Sequence, residues 1–194
     1  MKLLFATKNP NKIKEVRVFA GEDITISGLD SIGFDDDIPE NEPTLEGNAS
    51  AKSWYIFERT GKSCFADDTG LEIEALDGKP GVLSARYGGL EKDDNANISK
   101  VLHELKNISN RKARFRTVIS LILDGKEKLF EGTVYGEIID NPKGDKGFGY
   151  DPVFVPDGFD KTFGEMSMEE KNRISHRTAA VVKLVEYLQK NLLI

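Results

Sequence analysis

Asp67 and Asp68 stand side by side, after the apolar run Cys64-Phe65-Ala66 and ahead of Thr69-Gly70 and the alternating stretch Leu71 to Ala75. Successive side chains of a strand point to opposite faces, so the two carboxylates are expected to leave the backbone in opposite directions. One can then face a cleft while the other serves the chain locally. Carboxylate oxygens are hard ligands suited to Mg²⁺, and an aspartate beside such an ion can orient or deprotonate a water. The competing reading is an Asx-type turn between two strands, where Asp and Gly are common.

Cations sit in two other stretches. After the strand-like Lys2 to Ala6 comes the polar run Thr7-Lys8-Asn9-Pro10-Asn11-Lys12, and then Ile13, Val16, Phe19 and Ala20 at helical spacing. Pro10 suits a first helical turn, with Asn9 as N-cap. A loop running into a helix N-terminus is either an anion site, with Lys8 and Lys12 adding charge, or a structural cap. The spacing is not that of a P-loop. Near the end, Ser175 can cap a last helix marked by Val181, Leu184, Val185, Leu188 and Leu192, which puts His176 and Arg177 in its first turn. Cations there oppose the helix dipole, a local cost unless an anion binds.

Further candidates surround these. Glu40 precedes a helix that Thr44 should cap without a capping box, since Gly47 stands at N3, and that Gly61 should end. Thr44, Asn48 and Lys52 form a polar stripe beside Leu45, Ala49 and Ile56, facing either water or a cleft. Arg86 suits a phosphate or an acidic partner. In Gly147-Phe148-Gly149-Tyr150-Asp151-Pro152, glycines allow close approach of backbone to ligand, and Phe148 or Tyr150 offers a face for a base. Asp35-Asp36-Asp37 reads as a solvated loop within Leu29 to Ile38, and His103 as a surface or packing residue.

The elements that must position these groups alternate between strand and helix. Ile24 to Ile26 reads as a second strand, and Ile98, Val101, Leu102 and Leu105 mark a helix starting near Asp94. Ala113 to Leu123 and Leu129 to Ile138 flank Asp124-Gly125, a strong hairpin signal that implies a mixed sheet. Ser167-Met168-Glu169-Glu170 is a capping box opening a short helix that holds Lys171.

The 194 residues suit one domain, or one domain with a modest second lobe. A net charge of −6 argues against a nucleic-acid partner, and no apolar stretch approaches a membrane span or signal core. A single cysteine excludes an internal disulfide and fits a reducing cytoplasm, with Cys64 in the core. One Cys and two His make no zinc set.

Taken in order, these motifs resemble one family, the inosine triphosphate pyrophosphatases, house-cleaning hydrolases of deaminated purine nucleoside triphosphates. The resemblance runs from Ala6–Lys12 through Glu40–Lys52, Ala66–Leu71, Gly81–Gly88, Gly147–Pro152 and Glu165–Ser167 to Glu170–Asn172 and Ile174–Arg177. It implies an α/β fold: one domain, 1–194, with an elongated mixed β-sheet and flanking helices forming two lobes around a central active-site cleft. It further implies a cytoplasmic homodimer that uses Mg²⁺ to hydrolyse ITP, dITP or XTP to the nucleoside monophosphate and pyrophosphate. Carried over by residue, Thr7, Lys8, Asn9, Pro10, Asn11 and Lys12 grip the phosphates, with Lys52 a further contact. Glu40 and Asp68 hold the metal, and Asp68 is the general base. Thr69, Phe148, Gly149, Tyr150, Asp151, Lys171, His176 and Arg177 contact substrate, His176 and Arg177 with backbone groups reading the 6-oxo group. Two positions depart from the pattern: Lys8 stands where Gly is frequent, and Gly47 where Glu is. Two rivals remain, a pyrophosphatase of modified pyrimidine nucleotides and a sensor that binds without cleaving.

Overall fold

A computed structural model describes residues 1–19 and 24–192. Ala20, expected on the first helix, lies outside these residues, and so does the side chain of Leu192, expected on the last. The element order is β1 (Lys2–Phe5), α1 (Pro10–Arg17), β2 (Thr25–Ser27), α2 (Leu45–Thr60), β3 (Cys64–Ile73), α3 (Asp94–Glu104), β4 (Lys112–Leu123), β5 (Lys126–Ile138), β6 (Phe154–Pro156), α4 (Met168–Asn172) and α5 (His176–Leu192). The strands form one sheet in the order β2-β1-β3-β4-β5-β6. β1 pairs in parallel with β2 and β3, and β5 pairs antiparallel with β6. The sheet is therefore mixed, as the hairpin signal implied, and Asp124 and Gly125 both take the positive φ that a two-residue hairpin turn requires. Among the described residues, no helix is long and apolar enough to cross a membrane.

The chain divides into two compact units. Unit 1 comprises Met1–Asp68, Thr117–Gly132 and Arg177–Ile194, and unit 2 comprises Thr69–Arg116 and Thr133–His176.

In unit 1, β1 reads as a continuous apolar run because both its faces are covered. Leu3 and Phe5 join one cluster with Phe65, Ile119, Ile13 and Val16 of α1, and Val181, Leu184 and Leu188 of α5. Leu4 and Ala6 join the opposite cluster with Cys64, Ala66, Ile122 and Ile56 of α2. The Phe5 and Phe65 rings stack at 4.3 Å. Leu29, placed by sequence in a loop, is fully buried in a short 3-10 turn, Leu29–Ile32. In unit 2, Leu71 and Ile73 pack with Ile98, Val101 and Leu105 of α3 and with Phe115, Phe154 and Phe163.

One expectation fails at the centre of the chain. There is no Asx turn at Asp67-Asp68; β3 runs unbroken from Cys64 to Ile73. Two carboxylates can stay in a buried strand here because each meets its own cation.

Candidate functional site

Alternation along β3 decides where each carboxylate goes. Asp67 shares the parity of Phe65, on the face packed by α1 and α5. Asp68 shares that of Cys64 and Ala66, on the face packed by α2. The expected divergence of the pair is what the structure has.

On the first face, Lys12 Nζ donates to Asp67 Oδ1 at 2.8 Å and Arg177 Nε approaches Asp67 Oδ2 at 3.4 Å. Arg177 also donates through Nη1 to Glu15, one turn beyond Lys12 on α1. Asp67, Arg177 and Glu15 are all buried. Burial alone would push the Asp67 carboxyl up, but Lys12 and Arg177 outweigh it and hold the group well below the usual carboxylate range. For Lys12, burial wins over Asp67 and lowers its pKa. The first-turn cation of α5 is thus balanced by two carboxylates of the protein itself, which corrects the expectation that Arg177 needs an external anion. Glu15 was not legible as a partner: its one signal is an acid at i+3 from Lys12, next to Val16 on the core stripe.

On the second face, Lys52 Nζ donates to Asp68 Oδ1 and to Glu40 Oε1, both at 2.8 Å. Asn48 Nδ2 donates to Asp68 Oδ2 at 3.2 Å, and Asn48 Oδ1 accepts from Glu42 N at 3.0 Å, tying the Glu40 segment to α2. Two members of the polar stripe of α2 face inward: Asn48 and Lys52 are buried, whereas Thr44 is exposed and caps the helix through Gly47 N without a capping box. Burial raises the pKa of Asp68 despite Lys52. Burial alone would lower that of Lys52, but Asp68 and Glu40 outweigh it and raise it. At Gly47, where Glu was the frequent residue, a Cβ would lie 2.8 Å from Glu42 Cβ, so the side chain of Glu42 already fills that space.

The loop before α1 is self-contained. Asn9 accepts from the Asn11 and Lys12 amides at 2.9 and 3.4 Å, Thr7 Oγ1 accepts from Asn9 N at 3.1 Å, and Pro10 opens the helix. The structural-cap reading is therefore realised at these amides. Lys8 turns away to donate to the Asp35 carbonyl at 2.5 Å and lies 3.7 Å from the Asp37 carboxylate.

Unit 2 carries the glycine-rich loop. Asp151 Oδ2 accepts from Phe148 N at 2.9 Å and from Lys171 Nζ at 2.7 Å, and both Asp151 and Lys171 are buried. The ammonium lies 5.0 Å from the Phe148 ring centroid and 5.6 Å from that of Phe163. Gly147 takes φ +77°, and a Cβ there would overlap the Asp151 carboxylate, so only glycine lets this bond form. Gly149 N donates to Asp94 Oδ2 at 2.7 Å. Of the two aromatic residues offered as stacking faces, only Phe148 is half-exposed. The Tyr150 ring is in the core with its hydroxyl donating to the Ser84 carbonyl at 2.8 Å, which corrects its reading as a stacking face: what Tyr150 can offer a ligand is backbone. His176 is buried and stacks on Phe115 at 4.7 Å. Thr69 is half-buried in β3.

Asp94 and Ser84 were missed by sequence. Ser84 Oγ donates to the Gly81 carbonyl at 2.6 Å and accepts from Leu71 N at 2.9 Å. These bonds tie the Gly81–Gly88 stretch to β3. A separate cavity of about 540 Å³ is lined by Glu72, Arg114 and Tyr135 among others. It contains none of the predicted residues, and its Glu72 is engaged by Arg114 and Arg116.

The fold and the site define a mixed-sheet α/β protein with buried lysine–carboxylate pairs and a glycine-rich aromatic loop. The chain belongs to the Ham1 family, whose family model matches residues 3–187. It is 50% identical over 190 residues to the dITP/XTP pyrophosphatase of Christiangramia forsetii, covering 98% of this chain and 100% of that protein. To the dITP/XTP pyrophosphatase of Bacillus subtilis it is 45% identical over 190 residues, 96% of each chain. The solved structure of the Staphylococcus aureus Ham1 protein superposes with a TM-score of 0.90 at 41% identity, over 98% of this chain and 100% of that one. A HAM1 protein from Coxiella burnetii gives 0.91 at 35% identity, over 98% and 99%.

Proposed function

We propose that this chain hydrolyses deaminated purine nucleoside triphosphates, ITP, dITP and XTP, to the nucleoside monophosphate and pyrophosphate. The observation that carries the reading is the convergence of Glu40 Oε1 and Asp68 Oδ1, each 2.8 Å from the Lys52 ammonium. Two carboxylate oxygens meet at one point that already attracts a cation. Mg²⁺ commonly takes one or two protein carboxylates and completes its shell with phosphate and water oxygens. Glu40 and Asp68 supply two carboxylates of that kind. Bound by Glu40 and Asp68, Mg²⁺ would neutralise phosphate charge and hold the phosphates for attack.

Asp68 takes the proton of a water as its oxygen adds to the α-phosphorus. The bond from that phosphorus to the bridging oxygen breaks, and its electron pair leaves with pyrophosphate. A carboxyl whose pKa burial has raised is a better base near neutrality than an ordinary aspartate. Lys12 and Lys52 counter the phosphate charge, with the Thr7–Asn11 backbone beside them. Phe148 stacks on the base, flanked by Gly149 and Asp151. Lys171, an ammonium with three donors held by Asp151, is suited to a 6-oxo acceptor. Adenine presents an amino donor there, and donor facing donor leaves a buried group mispaired. Arg177, committed to Asp67 and Glu15, and His176, stacked on Phe115, act from fixed positions. A cytoplasmic homodimer belongs to the same reading.

The test is pyrophosphate release with Mg²⁺ from ITP, dITP and XTP beside ATP, GTP and dUTP, repeated with Asp68→Asn. Turnover of the first three, and its loss by orders of magnitude in the variant with nucleotide binding retained, is the expected result. Preference for dUTP or a modified pyrimidine would discard the purine assignment. Tight ITP binding without turnover would identify a sensor.

A further inference from the structure

We propose that Asp94, the first residue of α3, is a positioning residue for the Phe148 platform. The inference rests on the reading of Phe148 as the base-stacking face. The loop that carries Phe148 has Gly147 at φ +77° and Gly149 at φ +61° on either side of it. Glycine restrains the backbone least, so a ring between two glycines points where its peptide planes are held. Two carboxylates from different elements hold them: the Phe148 amide donates to Asp151 Oδ2 at 2.9 Å, and the Gly149 amide donates to Asp94 Oδ2 at 2.7 Å. Asp151 belongs to the loop's own continuation, whereas Asp94 reaches it from 55 residues away in sequence.

Asp94 is suited to the task. A carboxylate in the first turn of a helix is favoured by the helix dipole, and a bond from an amide to an ionised acceptor is stronger than a neutral one. The helix behind it is anchored: buried Asn97 accepts from Gly88 N at 2.6 Å and donates to the Ala85 carbonyl at 3.2 Å. Capping of α3 is done by a different residue, Asp93, which accepts from Ala96 N at 2.7 Å. The Asp94 carboxylate therefore reaches out of its helix to the loop.

The experiment compares Asp94→Ala, Asp94→Asn and Asp93→Ala in steady-state turnover of dITP, with amide hydrogen exchange read at Gly149. Asp94→Ala should raise KM roughly tenfold with kcat within about twofold, and should speed exchange at Gly149. Asp94→Asn keeps an acceptor oxygen and should restore most of the lost affinity. Asp93→Ala weakens the same helix end without touching the loop, and should leave both readouts near those of the unaltered chain. Unchanged Gly149 exchange in Asp94→Ala, or an equal rise of KM in Asp93→Ala, overturns the proposal. If the unaltered chain does not turn over dITP, the functional reading has failed, and exchange at Gly149 still decides whether Asp94 holds the loop.

Discussion

Asp67 and Asp68 are neighbours in the chain and bind different lysines, Lys12 and Lys52, each at 2.8 Å. One strand therefore carries two charge clusters. Asp67 is the hub of a set with half-buried Lys12, buried Arg177 and, through Arg177, Glu15. Asp68 belongs to the set proposed to do the chemistry.

Asp67→Asn should be the more damaging change for stability. It leaves the half-buried Lys12 without the charge that balances it and buried Arg177 with Glu15 alone, and breaking a buried pair costs about 3–5 kcal/mol. Asp68→Asn should cost much less, because burial already favours the neutral form of that group. Urea denaturation of the two variants checks the order, and an Asp67→Asn protein as stable as the parent would refute the hub role.

Lys171→Met removes the donor proposed to read the base while keeping an unbranched side chain against Phe148 and Phe163. Discrimination between ITP and ATP, measured as the ratio of kcat/KM values, should fall by roughly tenfold or more, the scale of a lost polar contact in a specificity site. Equal loss for both nucleotides would assign Lys171 to structure alone.

Trp54, the single tryptophan, reports on Glu127. Glu127 accepts from Ser50 Oγ at 2.5 Å, Ser120 Oγ at 2.7 Å and Trp54 Nε1 at 3.2 Å. Burial pushes its pKa up, and these three hydrogen bonds outweigh burial and bring it below the usual value. A depressed folded value means the carboxylate's stabilising contribution is complete above the ordinary glutamate pKa of about 4.3. It is then lost as pH falls through the lower folded value. Trp54 fluorescence should hold steady from neutral pH down to about that value and change below it, and Glu127→Gln should abolish the transition. A midpoint above the ordinary value would contradict the assignment.

Cys64 is fully buried, and burial pushes its thiol up to about 12. The thiolate is the reactive form, so a disulfide reagent at pH 8 should label the native protein only as fast as it unfolds and the urea-unfolded chain at once. Rapid labelling of the folded protein would show that this face of the sheet opens.

Much of the frame was legible along the chain because its signals are local. Apolar spacing marked the helices, Asn9, Thr44, Ser167 and Gly61 marked helix ends, and Asp124-Gly125 marked the hairpin that makes the sheet mixed. Period two along a strand foretold that Asp67 and Asp68 diverge. The pairings were not legible, because each joins residues far apart whose types suit several partners. Whether α2 turned Asn48 and Lys52 to water or inward depended on Asp68 and Glu40 arriving opposite them. Whether Arg177 needed an outside anion depended on Asp67 and Glu15, more than a hundred residues distant. Tyr150 and Phe148 look alike between their glycines, and only the approach of Ser84 sends one ring into the core and leaves the other at the surface. Burying a charge is unfavourable until its partner is placed, and that placement is decided by the packing of the sheet and helices as a whole.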